Sequence, residues 1–423
     1  MTPTFAEARR MWARVGLLSF GGPAGQIALL HREVIDKRQL VSEAEFLGAL
    51  NFCMLLPGPE AMQLATYLGW RLHGVRGGLV AGLLFILPGA VTLYALSTLY
   101  VLFGNLPVVA GLFWGIKAAV LVIVLEALLR VAKRALKGRL DYVTAALAFV
   151  ALFCFAVPFP LVILGAALLG YFMADRSAVL PDVALPSLSQ GVKQAALWLV
   201  IWLAPLLLIN LTWPGSVFAG LGNFFAKLSV VTFGGAYAVL SYMGQDVVEA
   251  HHWLTAPQMI DGLGLAETTP GPLILVGQFV GFLAAQRAEG TLLAGFAGGA
   301  IFLWMTFAPC FLWIFVGGPY VEYIRANPRF SSALARITAA VVGVILNLSL
   351  WFGLQVIFGA VARRPGLVPL WWPEFSSFNP AALVVAALAG FALLRFHWGM
   401  VKTLAMAGAA GILWNIVIPL VWT

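Results

Sequence analysis

The chain has 423 residues, of which 62% are hydrophobic and only 10% charged, whereas soluble domains carry about 25% charged residues. With a mean hydropathy of +0.96, this composition excludes a soluble enzyme or binding module and leaves a polytopic membrane protein, long enough for on the order of a dozen spans of about 20 residues each. The net charge of +8 lies in short stretches between apolar runs, where it orients a membrane protein, and a nucleic-acid partner is excluded.

Arg9, Arg10 and Arg14 lie in an amphipathic first stretch without a small-residue cleavage site, so no cleaved signal peptide is expected. That stretch meets a break at Ser19-Phe20-Gly21-Gly22, and a second break follows at Pro57-Gly58-Pro59, with Glu60 next to it. Apolar runs at about 78–103, 108–130, 141–156 and 160–174 predict four helices, the second carrying Lys117 and Glu126. A polar, proline-containing linker at about 175–192 and one unpaired run at about 194–212 come next. Lys227 then precedes Thr232-Phe233-Gly234-Gly235, and Glu267, Thr268 and Thr269 precede Pro270-Gly271-Pro272. Four more runs close the chain, at about 290–316, 331–358, 379–394 and 403–422.

The breaks form an internal duplication: Gly21 and Pro57 are separated by the same number of residues as Gly234 and Pro270. The expected domains are an N-terminal repeat at 1–175, a linker and bridging helix at 176–213, and a C-terminal repeat at 214–423. Six crossings in each repeat and one in the bridge make thirteen, and a single bridge between two even-numbered repeats inverts the second. The fold class is therefore an all-α polytopic membrane protein with two inverted repeats and broken helices at both motif pairs. Charge supports the inversion. Arg130, Lys133, Arg134, Lys137 and Arg139 mark a cytoplasmic stretch, the uncharged turn Gly104–Pro107 an external one, and Arg325 and Arg329 stand in the second-repeat turn that corresponds to it. Arg363 and Arg364 depart from the pattern, with Glu374 following them. The N-terminus is expected in the cytoplasm and the C-terminus in the periplasm.

Non-helical backbone at membrane depth is tolerated only where it is buried in protein or lines a cavity, and paired breaks in two halves point to a transporter's substrate site. Helices restarting at Pro23, Pro59, Ala236 and Pro272 aim free N–H groups and positive dipole ends at the breaks, which suits an anion. Arg14 and Lys227 occupy the same repeat position, five residues before Ser19 and Thr232, so each half offers a cation and a hydroxyl; snorkelling to the headgroups is the alternative for the two cations. Lys117 stands inside an apolar run, where an ionisable side chain is functional by default. The candidate anion site is thus Arg14, Ser19, Gly21, Gly22, Pro57, Gly58, Pro59, Lys117, Lys227, Thr232, Gly234, Gly235, Thr268, Thr269, Pro270, Gly271 and Pro272.

Three carboxylates are candidates for a coupling proton. Glu60 also suits a helix cap, Glu126 lies on roughly the opposite face of its helix from Lys117, and Glu267 has Met54 at the matching position of the first repeat. Cys53, Cys154 and Cys310 are isolated in apolar sequence, and the five histidines lack paired spacing, so no disulfide framework, metal site or cofactor is expected. A membrane-embedded enzyme acting on a lipid phosphate is the rival class. It needs a catalytic acid, base or metal cluster that the sequence does not display.

At these residues the chain resembles the chromate ion transporter family in its long, two-repeat form, whose halves each carry an F-G-G and a P-G-P signature. The resemblance covers essentially the whole chain and implies a bacterial inner-membrane antiporter that exports chromate, confers chromate resistance and draws on protons or the membrane potential. Sulfate is implied as a chemically similar oxyanion, and the reading admits a homodimer in the lipid bilayer. Arg14 stands where a lysine is more usual in such sequences, so charge is kept but the oxyanion meets a fork-shaped donor.

Overall fold

The computed structural model describes residues 3–174, 188–233, 235–321, 327–364 and 370–417. Most of the linker expected at 175–192, Gly234, Arg325 and the end of the last run lie outside them. The described chain is helical apart from one short hairpin, and five of its helices are long and apolar enough to cross a membrane.

The first repeat opens with α1 (Phe5–Leu18), α2 (Gly22–His31) and α3 (Glu43–Cys53). Thr4 with Glu7 and Ser42 with Glu45 form capping boxes that satisfy the first N–H groups of α1 and α3. Helix α4 covers Glu60–Phe103; as a straight rod its 44 residues span about 66 Å at 1.5 Å per residue, twice the hydrocarbon thickness. It turns back instead at His73 and Gly74, the latter with φ +62°. The limbs fold together through small residues, since a Cβ on Gly69 would lie 2.5 Å from the Gly77 carbonyl oxygen. The helix expected from residue 78 is thus the second limb of this hairpin. Helices α5 (Pro107–Ala135), α6 (Arg139–Phe153) and α7 (Phe159–Met173) complete the repeat, and α8 (Leu188–Thr212) is the bridge.

The second repeat follows the same order, with α9 (Val217–Val231), α10 (Ala236–Gln245), α11 (Ala256–Thr268), α12 (Val276–Glu289) and α13 (Leu292–Gly317). Here too a left-handed glycine, Gly290 at φ +72°, reverses the chain between α12 and α13. Gly281 meets the backbone of Gly298 across this second hairpin. Helices α14 (Pro328–Ile357), α15 (Pro380–Arg395) and α16 (Met400–Ile412) finish the helical set. Between α14 and α15, β1 (Val361–Arg363) pairs antiparallel with β2 (Trp371–Pro373), an element that the apolar-run reading did not anticipate.

The inversion is visible where equivalent helices meet. The second limb of α4 and α13 hold the same place in their repeats, and they pack antiparallel: Gly78 abuts Phe315, Gly82 abuts Phe311, and Tyr94 abuts Gly299 and donates to the Phe296 carbonyl at 2.9 Å. Equivalent helices running in opposite senses are what an inverted repeat requires.

Packing divides the chain across the repeats. One compact unit takes residues up to Ala95, Leu168–Val239 and Thr269–Leu334; the other takes Leu96–Ala167, Leu240–Thr268 and Ala335 onward. In the first unit, α13 packs on α8, α9 and α12. In the second, α5 is the central helix, packed on α11, α15 and α16. Its contact with α16 is backbone-close, with Gly115 against the Ala407 carbonyl and Gly411 against Gly111.

Candidate functional site

The four breaks fall at the ends of short helices, and those at Ser19–Gly22, Pro57–Pro59, Thr232–Gly235 and Thr269–Pro272 all belong to the first unit. Helix α1 ends where Ser19 leaves helical geometry (φ −79°, ψ 57°), and α9 ends in nearly the same way at Thr232 (φ −75°, ψ 74°). A left-handed glycine then precedes the restart in each: Gly21 (φ +88°) before α2, and Gly235 (φ +94°) before α10. The two P-G-P glycines are also left-handed, Gly58 at φ +122° and Gly271 at φ +93°.

Each P-G-P break is joined to the F-G-G break of the other repeat. The Gly58 N–H donates to the Thr232 carbonyl at 2.7 Å, and the Gly271 N–H donates to the Ser19 carbonyl at 3.0 Å. Gly58 and Gly271 are equivalent positions, as are Ser19 and Thr232, so exchanging the repeats turns one bond into the other. Such reciprocity is the local mark of two-fold symmetry. Ser19, Gly58, Thr232 and Gly271 are all buried, where an unpaired backbone group costs about 1–3 kcal/mol.

The symmetry is incomplete. Ser19 Oγ accepts a second bond from the Gly271 N–H at 2.9 Å, whereas Thr232 Oγ1 donates to Leu228 of its own helix at 2.6 Å. Gln26, buried in α2, donates from Nε2 to the Gly271 carbonyl at 2.6 Å and to that of Ser19 at 3.3 Å. Gln63 braces the other break within its own repeat, through the Pro57 carbonyl at 2.7 Å. In the first-repeat F-G-G break, Ser19 Oγ and Gln26 thus add side-chain bonds to the backbone bond that crosses to its partner.

The restarts differ in detail from those expected at the prolines. Helix α4 begins at Glu60, one residue after Pro59, and Pro272 is extended (φ −64°, ψ 133°), so a 3-10 turn over Leu273–Leu275 intervenes before α12. Helix α2 does begin at the Gly22-Pro23 step, with an exposed Gly21 and no side-chain cap. Since the Gly58 and Gly271 N–H groups are engaged in the crossing, the start of α2 is the better-placed source of donors for a ligand. Glu60 reaches the same region, its Oε1 lying 3.8 Å from where a Cβ on Gly235 would stand.

Arg14 and Lys227 lie on the last turns before Ser19 and Thr232, and both are exposed. Thr268 is the last residue of α11 and bonds back to the Leu265 carbonyl, while Thr269 is buried beside Pro270. Gly234 lies outside the described residues. Glu267 is buried at 4% exposure near the end of α11.

The other charges inside apolar helices belong to the second unit. Lys117 on α5 faces Asp261 on α11, with Nζ 3.5 Å from Oδ1, and Tyr100 donates its hydroxyl to Oδ2 at 2.9 Å. Glu126, expected on another face from Lys117, pairs with Arg130 one turn along its own helix. Aligning Ile116–Val120 with Ile337–Val341 puts Thr338 opposite Lys117 and Asn347 opposite Glu126, while Gly48 matches Asp261. None of these three charges is repeated.

Sequence reading missed Asp261, Tyr100 and Gln26. Asp261 carried a usable signal, because a carboxylate within an apolar helix needs a cation and Lys117 was already in view. Gln26 carried none, since a lone glutamine near a break has no distinguishing spacing.

The family model described as "Chromate transporter" matches residues 7–171 and 219–412, one segment in each repeat. A probable chromate transport protein of Synechococcus elongatus is 28% identical over 389 residues, covering 91% of this chain and 94% of its own. The chromate transport protein of Cupriavidus metallidurans is 30% identical, covering 81% of each chain. That of Pseudomonas aeruginosa is 33% identical, covering 78% of this chain and 77% of its own. No solved structure matches. With its fold, its two repeats and both matched segments in agreement, this multi-pass membrane protein belongs to the chromate transporter family.

Proposed function

We propose that the protein is a secondary active transporter that exports chromate across the bacterial inner membrane and thereby confers chromate resistance. Membership of the family supports a chromate transport role. The single observation that supports a location for the substrate is the reciprocal bonding of Gly58 to Thr232 and of Gly271 to Ser19. In this reading the P-G-P segments Pro57–Pro59 and Pro270–Pro272 are struts. The oxyanion lies over the crossing, where Gly21, Gly22 and Gly235 expose helix starts, hydroxyls stand at Ser19, Thr232 and Thr269, and Arg14 and Lys227 supply charge. Lys117 is a further cation of the pathway.

The membrane potential, negative inside, favours outward movement of a divalent anion by about 2.3 kcal/mol per charge per 100 mV. Proton antiport adds to this drive through Glu60, Glu126 or Glu267, of which Glu60 has its Oε1 beside Gly235 of the crossing. The repeats run over 1–175 and 214–423 with the bridge at 176–213, the N-terminus is cytoplasmic and the C-terminus periplasmic, and a homodimer is compatible with the arrangement.

Inside-out vesicles from cells with and without the protein test the proposal through accumulation of labelled chromate under an imposed pH gradient or potential, with sulfate as competitor. Protein-dependent, gradient-driven accumulation is expected. Equal accumulation in both vesicle types contradicts it, and accumulation of labelled sulfate in preference to chromate reassigns the substrate.

A further inference from the structure

The Lys117–Asp261–Tyr100 cluster lies inside the apolar helices, and of its three members the proposed oxyanion site uses only Lys117. It joins α5, the central helix of its unit, to α11, whose last residue Thr268 leads directly into Thr269-Pro270-Gly271. Asp261 is only 4% exposed, and a carboxylate so placed is stable when it is paired and bonded, or when it carries a proton. Its two oxygens are unequally served. Oδ2 receives the Tyr100 hydroxyl at 2.9 Å, whereas Oδ1 has no hydrogen-bond donor among the described residues and meets only the Lys117 ammonium at 3.5 Å, beyond a formed charge-assisted bond. Oδ1 is therefore an acceptor with room for a proton.

The surroundings leave few competitors. Besides Lys117, α5 carries Glu126 and Arg130 further along, which pair with each other, and Lys133 and Arg134 in its last turn, more than four turns from Lys117. The charged residue of α16, which also packs on α11, is Lys402, whose Nζ lies 3.9 Å from the centre of the Trp398 ring. Glu267 lies on α11 itself, six residues beyond Asp261 and on a different face. No repeat symmetry demands the cluster, because Gly48 and Thr338 hold the matching positions. A buried ion pair with no counterpart in the equivalent scaffold is costly to keep for stability alone.

We propose that Asp261 is a further protonation site, beside the carboxylates named above, that couples the pH gradient to transport, with Lys117 and Tyr100 as its positioning residues. In the charged state the carboxylate ties α11 to α5 through Lys117. A proton arriving at Oδ1 makes a neutral carboxyl that keeps the Tyr100 bond and releases the electrostatic tie. Helix α11 and the Thr269–Gly271 segment that continues it then become free to shift. Asp261 acts on the substrate through α11 and not by touching it.

This inference rests on the transport reading above, and the experiment separates the two. Purified protein is reconstituted into proteoliposomes, and labelled chromate is followed in two modes: exchange at equal pH on both sides, and net accumulation driven by a pH gradient. Asp261→Asn mimics the protonated state but strands Lys117, so the neutral pair Asp261→Asn with Lys117→Gln is measured beside it, folding being checked by size-exclusion profile. Because Lys117 is itself a cation of the proposed pathway, the readout is the ratio of gradient-driven accumulation to exchange within each variant, expected to fall by about tenfold or more in Asp261→Asn and in the pair, with a flattened pH profile of the driven rate. A folded neutral-pair variant that keeps the wild-type pH profile and accumulation overturns the assignment of Asp261 while leaving the transport reading intact. Wild-type protein that shows no chromate exchange in either mode overturns the transport reading, and this inference with it.

Discussion

The crossed breaks and the Lys117–Asp261 pair are both polar structures inside an apolar protein, and they are built on opposite principles. The crossing is duplicated and made largely of backbone: two glycine N–H groups meet two carbonyls, and exchange of the repeats maps one bond onto the other. The ion pair is made of side chains and occurs once, with glycine and threonine at the matching positions. In the proposed reading, duplication preserves what both halves of a symmetric mechanism need, namely a place for the substrate that looks alike from either side. Directionality and coupling require a difference between the halves, and in that reading unrepeated charge supplies it. The same division appears within the crossing itself, where Gln26 and Ser19 Oγ strengthen one side only.

Substitutions that distinguish the two principles should fall in a definite order. The largest effect is expected for Gly58→Ala, because φ is +122° and the new Cβ would stand 2.7 Å from Gln63 Nε2 and 2.9 Å from Cys310 Sγ. Strain and overpacking together cost about 3 kcal/mol or more, so folded protein recovered by size-exclusion chromatography should drop sharply. Gly271→Ala meets its nearest atom, Leu275 Cδ1, at 3.2 Å and should be milder; equal losses would show that backbone strain, and not packing, sets the cost. Next comes Ser19→Ala, which removes an acceptor for the buried Gly271 N–H and should lower stability by about 1–2 kcal/mol. Thr232→Val, which loses only a bond to its own helix, should cost less, and thermal unfolding of the two purified variants gives the comparison. The smallest effect is expected for Arg71→Ala. Its 3.3 Å pair with Glu45 is about half exposed on both sides, and exposed pairs contribute about 0–1 kcal/mol. A larger destabilisation at Arg71 than at Ser19 would contradict the ranking of buried backbone partners above exposed charge.

Much of this organisation could be read from sequence because it rests on repetition. The breaks at Ser19–Gly22 and Thr232–Gly235 are spelled by glycines that take left-handed geometry, and the equal spacing of the P-G-P segments follows from the duplication. Apolar length located α5, α13 and α14 to within a few residues. What sequence did not reveal depends on folding back. The polar stretch at 71–76 holds the turn at His73-Gly74, but nothing in it shows that the limbs on either side pack together, and the crossing of each P-G-P with the other repeat's F-G-G joins residues about half a chain apart. Asp261 escaped because its partner lies on a helix from the other repeat, where no local spacing connects them.

The account's central claim is that one oxyanion site is shared by both repeats at the crossing, and titration of purified protein with chromate, in wild type and in Arg14→Ala and Lys227→Ala variants, tests it most directly. A charge-assisted contact contributes about 1.5–3 kcal/mol, so each variant alone should raise the chromate Kd by about tenfold or more, with Arg71→Ala unchanged as the exposed control. Wild-type Kd values in both Arg14→Ala and Lys227→Ala would contradict the shared site and leave the two cations as membrane anchors.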